Sequence, residues 1–434
     1  MSSKKDFLWK GLPAVFYESK YIIFSPYSKK IISLKEKELR NKIIIGKLKK
    51  ENFFGSSLTK VDDRLAITLY LTDNCNLKCI YCFDDCDGCM VRQKINKEMA
   101  SQFAISSIKR ILKDYNQFIQ NLEKPKLKIH FFGGEPTLKF DVIKKVVEFL
   151  EKQKIDTIYE ISTNLITSEE RLNYLISKKF LFAVSCDGIP KINNKQRPFK
   201  IKSKIMPSEI IEQRIKQLVK AKARIRPKVV VTNESIKEMP SAVKYLAKLG
   251  LSHIRLEPLL IDGRVEKNNL KPVNIEQFIK YFLKASEVAK ELSKKYKRHI
   301  YVSNWAIRNL FQPRDYFCEI VRGNRIAIMP DGIIAKCVRN LHAYESSPFI
   351  VGKINNKLIL KKQKYKQLQE ISVDKMPFCE NCFAKYICSG CCPNENLKEN
   401  KTFFIPTKYK CKIAKKLIRE LLIKMYKESK FKKL

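Results

Sequence analysis

No apolar run in this chain approaches the ~18 residues needed to cross a bilayer. The opening Met1-Ser-Ser-Lys-Lys-Asp-Phe-Leu-Trp-Lys10 also lacks the apolar core of a secretion signal, so a cytoplasmic protein with no membrane partner is expected. Acidic residues are scarce, 44 Asp plus Glu against 87 Lys plus Arg, and the formal net charge is +43. An excess of that size raises nucleic-acid binding as a function. The lysines, however, are spread along the whole chain, with no basic stripe interleaved with aromatics and no nucleic-acid motif, so a nucleic-acid partner is not expected. Such a surface would still attract an acidic peptide, and less strongly as salt is added.

Cysteine is abundant. Fourteen in 434 residues point, in a cytosolic chain, to metal ligands more readily than to disulfides. Cys75, Cys79 and Cys82 form a CxxxCxxC run directly after the apolar, β-branched segment Leu65-Ala-Ile-Thr-Leu-Tyr-Leu71, which reads as a buried strand. Three thiolates on a four-iron cluster leave one iron without a protein ligand, whereas a structural metal site normally closes its shell. That spacing arises by chance in roughly one such chain in 70, so the run needs support from elsewhere.

Support comes from Gly133-Gly134-Glu135-Pro136 after the segment Lys128 to Phe132. Two glycines let a backbone approach a ligand closely, and a carboxylate can accept a hydrogen bond from an ammonium group. Apolar strand candidates recur at about 65–71, 126–132, 157–162, 180–185, 226–232 and 253–257, separated by helical patterns such as Met99, Phe103, Ile108 and Ile111. Alternating β and α implies a parallel sheet, and six units suggest an α/β fold built on a partial (β/α)6 TIM-type barrel, with its site at the carboxyl ends of the strands. The polar or glycine-rich signatures fall at those ends: Cys75 to Cys82, Gly133 to Pro136, Ser162-Thr163-Asn164, Ser185-Cys186-Asp187-Gly188, Thr232-Asn233-Glu234 and Glu257-Pro258.

The cysteine run and the GGEP stretch together resemble the radical S-adenosylmethionine (SAM) enzymes. By that resemblance Cys75, Cys79 and Cys82 hold the [4Fe-4S] cluster that cleaves SAM. Gly133, Gly134 and Glu135 cradle its amino group, and Tyr81 packs near the adenine. Ser162, Asn164 and Ser185 would touch its ribose or carboxylate, Asp187 with Gly188 shapes the fourth loop, and Arg197 offers a two-point partner for the SAM carboxylate. Similar enzymes often follow the Asp-Gly with His-Asp, where this chain has Asn193-Asn194.

The carboxyl third holds Cys379-x2-Cys382-x5-Cys388-x3-Cys392 and then Cys411, preceded by Cys318 and Gly332-x4-Cys337. In isolation the first four read as a zinc ribbon. Downstream of a SAM-cleaving core the whole set resembles the SPASM extension, whose seven cysteines bind two auxiliary [4Fe-4S] clusters. The family's interleaving would put Cys379, Cys382, Cys388 and Cys411 on one cluster and Cys318, Cys337 and Cys392 on the other, which then keeps an open iron or takes Cys391. Cys86, Cys89 and Cys186 have no assigned role.

The expected division is a small α+β extension over 1–60, offering a surface for a leader peptide by strand addition, a barrel over 61–300 and a cysteine-rich SPASM domain over 301–434. In the extension, residues 21–34 read as two short strands around a Pro-Tyr-Ser turn, followed by a charged helix near 35–50. Ile413, Leu417, Leu421 and Met425 mark the buried stripe of a last helix, expected to pack on the auxiliary domain. The resemblance implies an enzyme that oxidises or cross-links a peptide or protein substrate, fed by a reductant such as flavodoxin or ferredoxin. No residue stands out as its general base. The alternatives are formation of formylglycine in sulfatases, oxidation of a small molecule and, outside enzymes, a zinc-stabilised binding protein. Sulfatase maturases carry an Asp base immediately after the second auxiliary cysteine, where this chain has Val338.

Overall fold

The structure is a computed structural model and describes residues 5–55, 64–83, 98–114, 125–322, 324–339 and 347–431. It divides into two compact units. One comprises residues 1–61, 304–321 and 370–434, the other 62–303 and 322–369.

The first unit opens with an antiparallel sheet of β1 (Phe7–Trp9), β2 (Leu12–Tyr17), β3 (Lys20–Phe24) and β4 (Ile31–Leu34) in sequential order. The two strands read around Pro-Tyr-Ser are β3 and β4; β1 and β2 went unread because their apolar stretch is interrupted by Lys10, Gly11 and Pro13. One face buries Trp9, Leu12, Ala14, Tyr21 and Ile23 against Leu39, Leu48 and Phe53. The helix Lys42–Lys50 begins at Asn41, whose side chain accepts hydrogen bonds from the Ile43 and Ile44 amides.

The last helix, Lys408–Phe431, contacts β2, β3 and β4. Arg419 donates to the Phe16 carbonyl at 3.0 Å, and the Tyr426 hydroxyl meets Ser33 Oγ at 2.8 Å. Its buried apolar residues are Ile413, Ala414, Leu417, Ile418, Leu422, Ile423 and Tyr426 rather than a strict every-fourth stripe. Four residues turn an α-helix by 400°, so a fixed step of four drifts off the face, and Leu421 and Met425 are only half-buried.

The second unit is built on an eleven-stranded sheet. Its strands are β5 (Leu65–Tyr70), β6 (Lys126–Phe132), β7 (Asp156–Thr163), β8 (Leu181–Ser185), β9 (Arg224–Val231), β10 (His253–Pro258), β11 (Tyr301–Ser303), β12 (Arg325–Ile328), β13 (Ile333–Ala335), β14 (Ile350–Ile354) and β15 (Leu358–Leu360). The order is β11-β10-β9-β8-β7-β6-β5-β12-β13-β14-β15. All six strands read from the sequence are present, neighbours in sequence order, and paired in parallel. The sheet runs beyond them: β11 adds to β10 and β12 to β5, both in parallel, and β13, β14 and β15 continue antiparallel.

Residues 322–369 thus complete the sheet begun at Leu65. Gly332, at φ +88°, makes the β12–β13 turn, where a Cβ would lie 2.1 Å from the Ile354 carbonyl. The parallel strands bury one apolar row each, including Ile67, Leu69, Ile129, Phe131, Ile161, Phe182 and Val184. Amphipathic helices such as Ser101–Lys113 and Phe140–Lys152 supply buried rows of their own, Ile108 and Ile111 in one and Val142, Val146 and Leu150 in the other.

Candidate functional site

The cysteine loop leaves β5 and is held by backbone from four later segments of the same unit. Gly134 N donates to the Thr72 carbonyl and Glu135 N to the Asn74 carbonyl, both at 2.8 Å. Lys78 N meets Pro198 O at 2.8 Å, Ile80 N meets Gln196 O at 3.0 Å, and Lys200 N meets Asn76 O at 2.9 Å. Asn76 Nδ2 donates to Ile166 O at 2.8 Å. Arg264 donates to the Cys82 carbonyl through its amide and to the Cys79 carbonyl through Nη1 at 2.8 Å, while Asn268 Nδ2 reaches Ile80 O at 2.7 Å.

These contacts explain the glycines. A Cβ on Gly133 would sit 2.5 Å from Thr72 O, and one on Gly134 2.3 Å from Asn74 O. Here the close approach is to the cysteine loop's own backbone, which fixes that loop against the end of β6.

Cys75, Cys79 and Cys82 are in no disulfide and are half-buried. Asn164 Nδ2 lies 3.6 Å from Cys75 Sγ, and Leu77 N donates to the same sulfur at 3.4 Å. Arg197 Nη1 lies 3.8 Å from Cys79 Sγ. Burial pushes the Cys75 thiol up to about 12 and raises Cys79 as well; Arg197 works in the opposite direction on both. Binding iron here therefore releases protons, and the nearby amide and guanidinium donors favour the thiolates once formed.

Glu135 is a buried clip between β6 and β7. Its Oε1 accepts from Thr137 N, Thr137 Oγ1 and Thr163 Oγ1, and its Oε2 from Asn164 N at 2.8 Å. Burial raises its pKa against these donors. The carboxylate accepts from these protein donors, and through Asn164 it positions the amide beside Cys75.

The fourth loop is organised by Asp187. Its side chain is wholly buried and paired with Arg197 Nε at 3.0 Å and Nη2 at 3.1 Å. It also accepts from Gln196 Nε2 at 2.8 Å, the Val230 amide at 2.9 Å and the Tyr81 hydroxyl. The two-point partner of Arg197 is thus Asp187, and the guanidinium lies 5.3 Å from the centre of the Tyr81 ring. Asn193 holds the same loop by accepting from Asp187 N at 3.0 Å. Cys186 is buried beside it.

Ser162 sits on the sheet's polar face, hydrogen-bonded to His130. Arg325 Nη2 faces His130 Nδ1 at 3.4 Å, so the ring proton belongs on Nε2, which donates to Ser162 Oγ at 2.8 Å. Burial lowers the His130 pKa to about 3, with Arg325 and Lys128 adding to the shift and Glu160 opposing it. The unfolded chain then binds a proton that the folded protein refuses between that value and ~6.5, so stability falls as pH drops through the window. Replacing His130 by Asn is expected to flatten the slope, whose limit is about 1.4 kcal/mol per pH unit, in urea titrations run from pH 7 to pH 4.

Ser185 is half-buried and neighbours Lys228 in register. Sequence reasoning missed Gln196, Arg264, Asn268 and Lys228. Only the Gly263-Arg264 dipeptide after β10 gave a signal: Gly263, at φ +59°, brings this segment so close that a Cβ would lie 2.6 Å from Cys82 O.

In the first unit, Cys379, Cys382, Cys388 and Cys411 line one pocket together with Lys385 and Lys415. Cys391 Sγ lies 3.5 Å from Cys388 Sγ, placing that thiol beside this group of four. Cys318 and Cys392 belong to the same unit and Cys337 to the other, just past β13. Cys86 and Cys89 lie outside the described residues. Among the described residues no three His, Cys, Asp or Glu side chains are gathered to hold a single metal ion, and no helix is long and apolar enough to cross a membrane.

No family model matches the chain. It is 30% identical over 283 residues to the uncharacterized protein MJ0907 of Methanocaldococcus jannaschii, covering 64% of this chain and 86% of that one. It is 28% identical over 226 residues to the cysteine-type anaerobic sulfatase-maturating enzyme of Clostridium novyi, covering 48% of this chain and only 55% of that enzyme. Native anSMEcpe, solved with bound AdoMet and the Kp18Cys peptide, superposes with a TM-score of 0.63 at 18% identity, over 84% of this chain and 99% of that one. The chain is similar to radical SAM enzymes, among them the radical SAM cyclopropyl synthase TigE of Paramaledivibacter caminithermalis, to which it is 23% identical over 372 residues, covering 82% of this chain and 74% of that one.

Proposed function

We propose that this chain cleaves SAM to a 5′-deoxyadenosyl radical and uses it to oxidise or cross-link a peptide. One observation carries the reading: three half-exposed cysteines share a loop at the carboxyl ends of parallel strands, with Asn164 and Arg197 beside two of the sulfurs. The donor set fits a [4Fe-4S] cluster with one open iron, which when bound supplies the electron that splits SAM. The chain's own contribution is positional. Gly133, Gly134 and Glu135 anchor the cysteine loop, and Tyr81, Asp187 and Arg197 fix its far side. Ser162 and Ser185 on the concave face of a partial (β/α)6 barrel line the space for SAM and substrate, where a primary carbon radical attacks the nearest C–H bond.

The pocket of Cys379, Cys382, Cys388 and Cys411 suits one auxiliary [4Fe-4S] cluster; a second on Cys318, Cys337 and Cys392 is what the family resemblance implies. The 3.5 Å approach of Cys391 Sγ to Cys388 Sγ favours an open iron on the second cluster over ligation by Cys391. A peptide with a leader held along the sheet of β1 to β4, and a flavodoxin- or ferredoxin-type reductant in the cytoplasm, complete the scheme.

Sulfatase maturation is the second reading, favoured by the Clostridium novyi relative. Against it, the position after Cys337 is Val338, which packs against the apolar cluster of Tyr70, Met329, Ala335 and Ile350 and can accept no proton.

The test is mass spectrometry of short peptides encoded beside the gene, incubated with anaerobically reconstituted protein, SAM and dithionite. Loss of two hydrogens matched by deoxyadenosine supports the first reading. Formylglycine in a sulfatase-derived Cys peptide, with no change in the neighbouring peptides, would replace it by the second.

A further inference from the structure

Side chains alternate across a strand, so residues in register on adjacent strands share a face. On the face opposite the apolar rows, register sets His130 beside Thr68 and Glu160, Ser185 beside Lys228, and Lys228 beside Arg255. The charged groups acting on Lys228 are Glu257, Arg255, Arg339 and Arg197.

Each of those arginines has its own carboxylate. Arg255 is bonded to Glu257, Arg339 Nη2 lies 3.3 Å from Asp262, and Arg197 Nε lies 3.0 Å from Asp187. Lys228 has none: its ammonium makes no salt bridge or hydrogen bond with the described residues. Three neutral pairs therefore surround one uncompensated positive charge. The Lys228 side chain is exposed to solvent on this polar face of the sheet. Burial, opposed by Glu257 and reinforced by the three arginines, lowers its pKa to about 8.

We propose that Lys228 seats a carboxylate of the peptide substrate, which neutralises the polar face of the sheet as it docks between Ser185 and Arg255. The inference rests on the peptide-modifying reading above and adds a substrate class to it, an acidic peptide. A docked carboxylate favours the charged lysine, so binding weakens as pH rises through 8 in the wild type.

The experiment uses reconstituted holoenzyme and three synthetic probes in isothermal titration: Ac-Gly-Glu-Gly-NH2, Ac-Gly-Gln-Gly-NH2 and Ac-Gly-Gln-Gly with a free carboxyl terminus. One of the two charged probes is expected to bind about tenfold or more tighter than the neutral one. Which of them does so identifies the carboxylate as side-chain or terminal. Lys228→Met should abolish the preference; Lys228→Arg should keep it and remove its loss between pH 7 and pH 9.5. Equal or undetectable binding of charged and neutral probes to the wild type, or a preference that survives in Lys228→Met, overturns the proposal. Deoxyadenosine formation and peptide oxidation by the same preparation test the underlying reading separately. A carboxylate preference without peptide oxidation removes the reaction and leaves the site; oxidation without the preference removes only the site.

Discussion

Replacing Cys75, Cys79 and Cys82 together by alanine should abolish deoxyadenosine formation, a fall of at least about a thousandfold, equivalent to roughly 4 kcal/mol in barrier. Bound iron should drop by only about four atoms out of on the order of 12. The two numbers belong together because the cysteines are partitioned. The triple change touches one loop of the second unit, while Cys379, Cys382, Cys388 and Cys411 line a pocket formed wholly within the first. Iron measured by colorimetry and deoxyadenosine by chromatography on the same anaerobic samples provide the check. A variant that still cleaves SAM sinks the assignment, and so does wild-type protein that takes up zinc in place of iron.

The second large effect is on stability. Asp187 has a side chain with 0% exposure and Arg197 one with 7%, so the pair is cut off from water. Removing one partner of such a pair typically costs about 3–5 kcal/mol, because the other charge is left buried and uncompensated. Asp187→Ala should approach that figure, since it strands Arg197 and also takes the acceptor from Gln196 and the Val230 amide. Arg197→Met should cost less, on the order of 2 kcal/mol, because Asp187 keeps its other three donors. Urea unfolding followed by circular dichroism compares them. A loss below about 1 kcal/mol for Asp187→Ala would mean that the pair is solvated after all.

Arg197 shows where reading residues one at a time runs out. A guanidinium near a ligand-binding loop suggests a two-point grip on a carboxylate, and the structure supplies the carboxylate from ten residues upstream. Glu135 teaches the same lesson: its residue type advertises an acceptor, and only the structure shows the four protein donors it accepts from. Neither carboxylate's full set of donors is visible in the spacing, since Thr163, which donates to Glu135, and the Val230 amide, which donates to Asp187, come from other strands. Lys228 gave no signal at all, because one lysine among so many becomes distinctive only when its neighbours prove to be paired among themselves.

By itself the sequence determined the six parallel strands and their order and the cysteine loop beyond the first of them. Those features are written in periodicity and in the spacing of a chemically distinctive residue, both local along the chain. Tertiary structure alone decided that residues 322–369 extend the sheet of β5, that the last helix lies on the amino-terminal strands, and that the glycines of the GGEP stretch serve the cysteine loop's backbone. Each of these depends on which distant segment fills a given space, and a strand of three or four residues or a helix face carries too little pattern to name its partner.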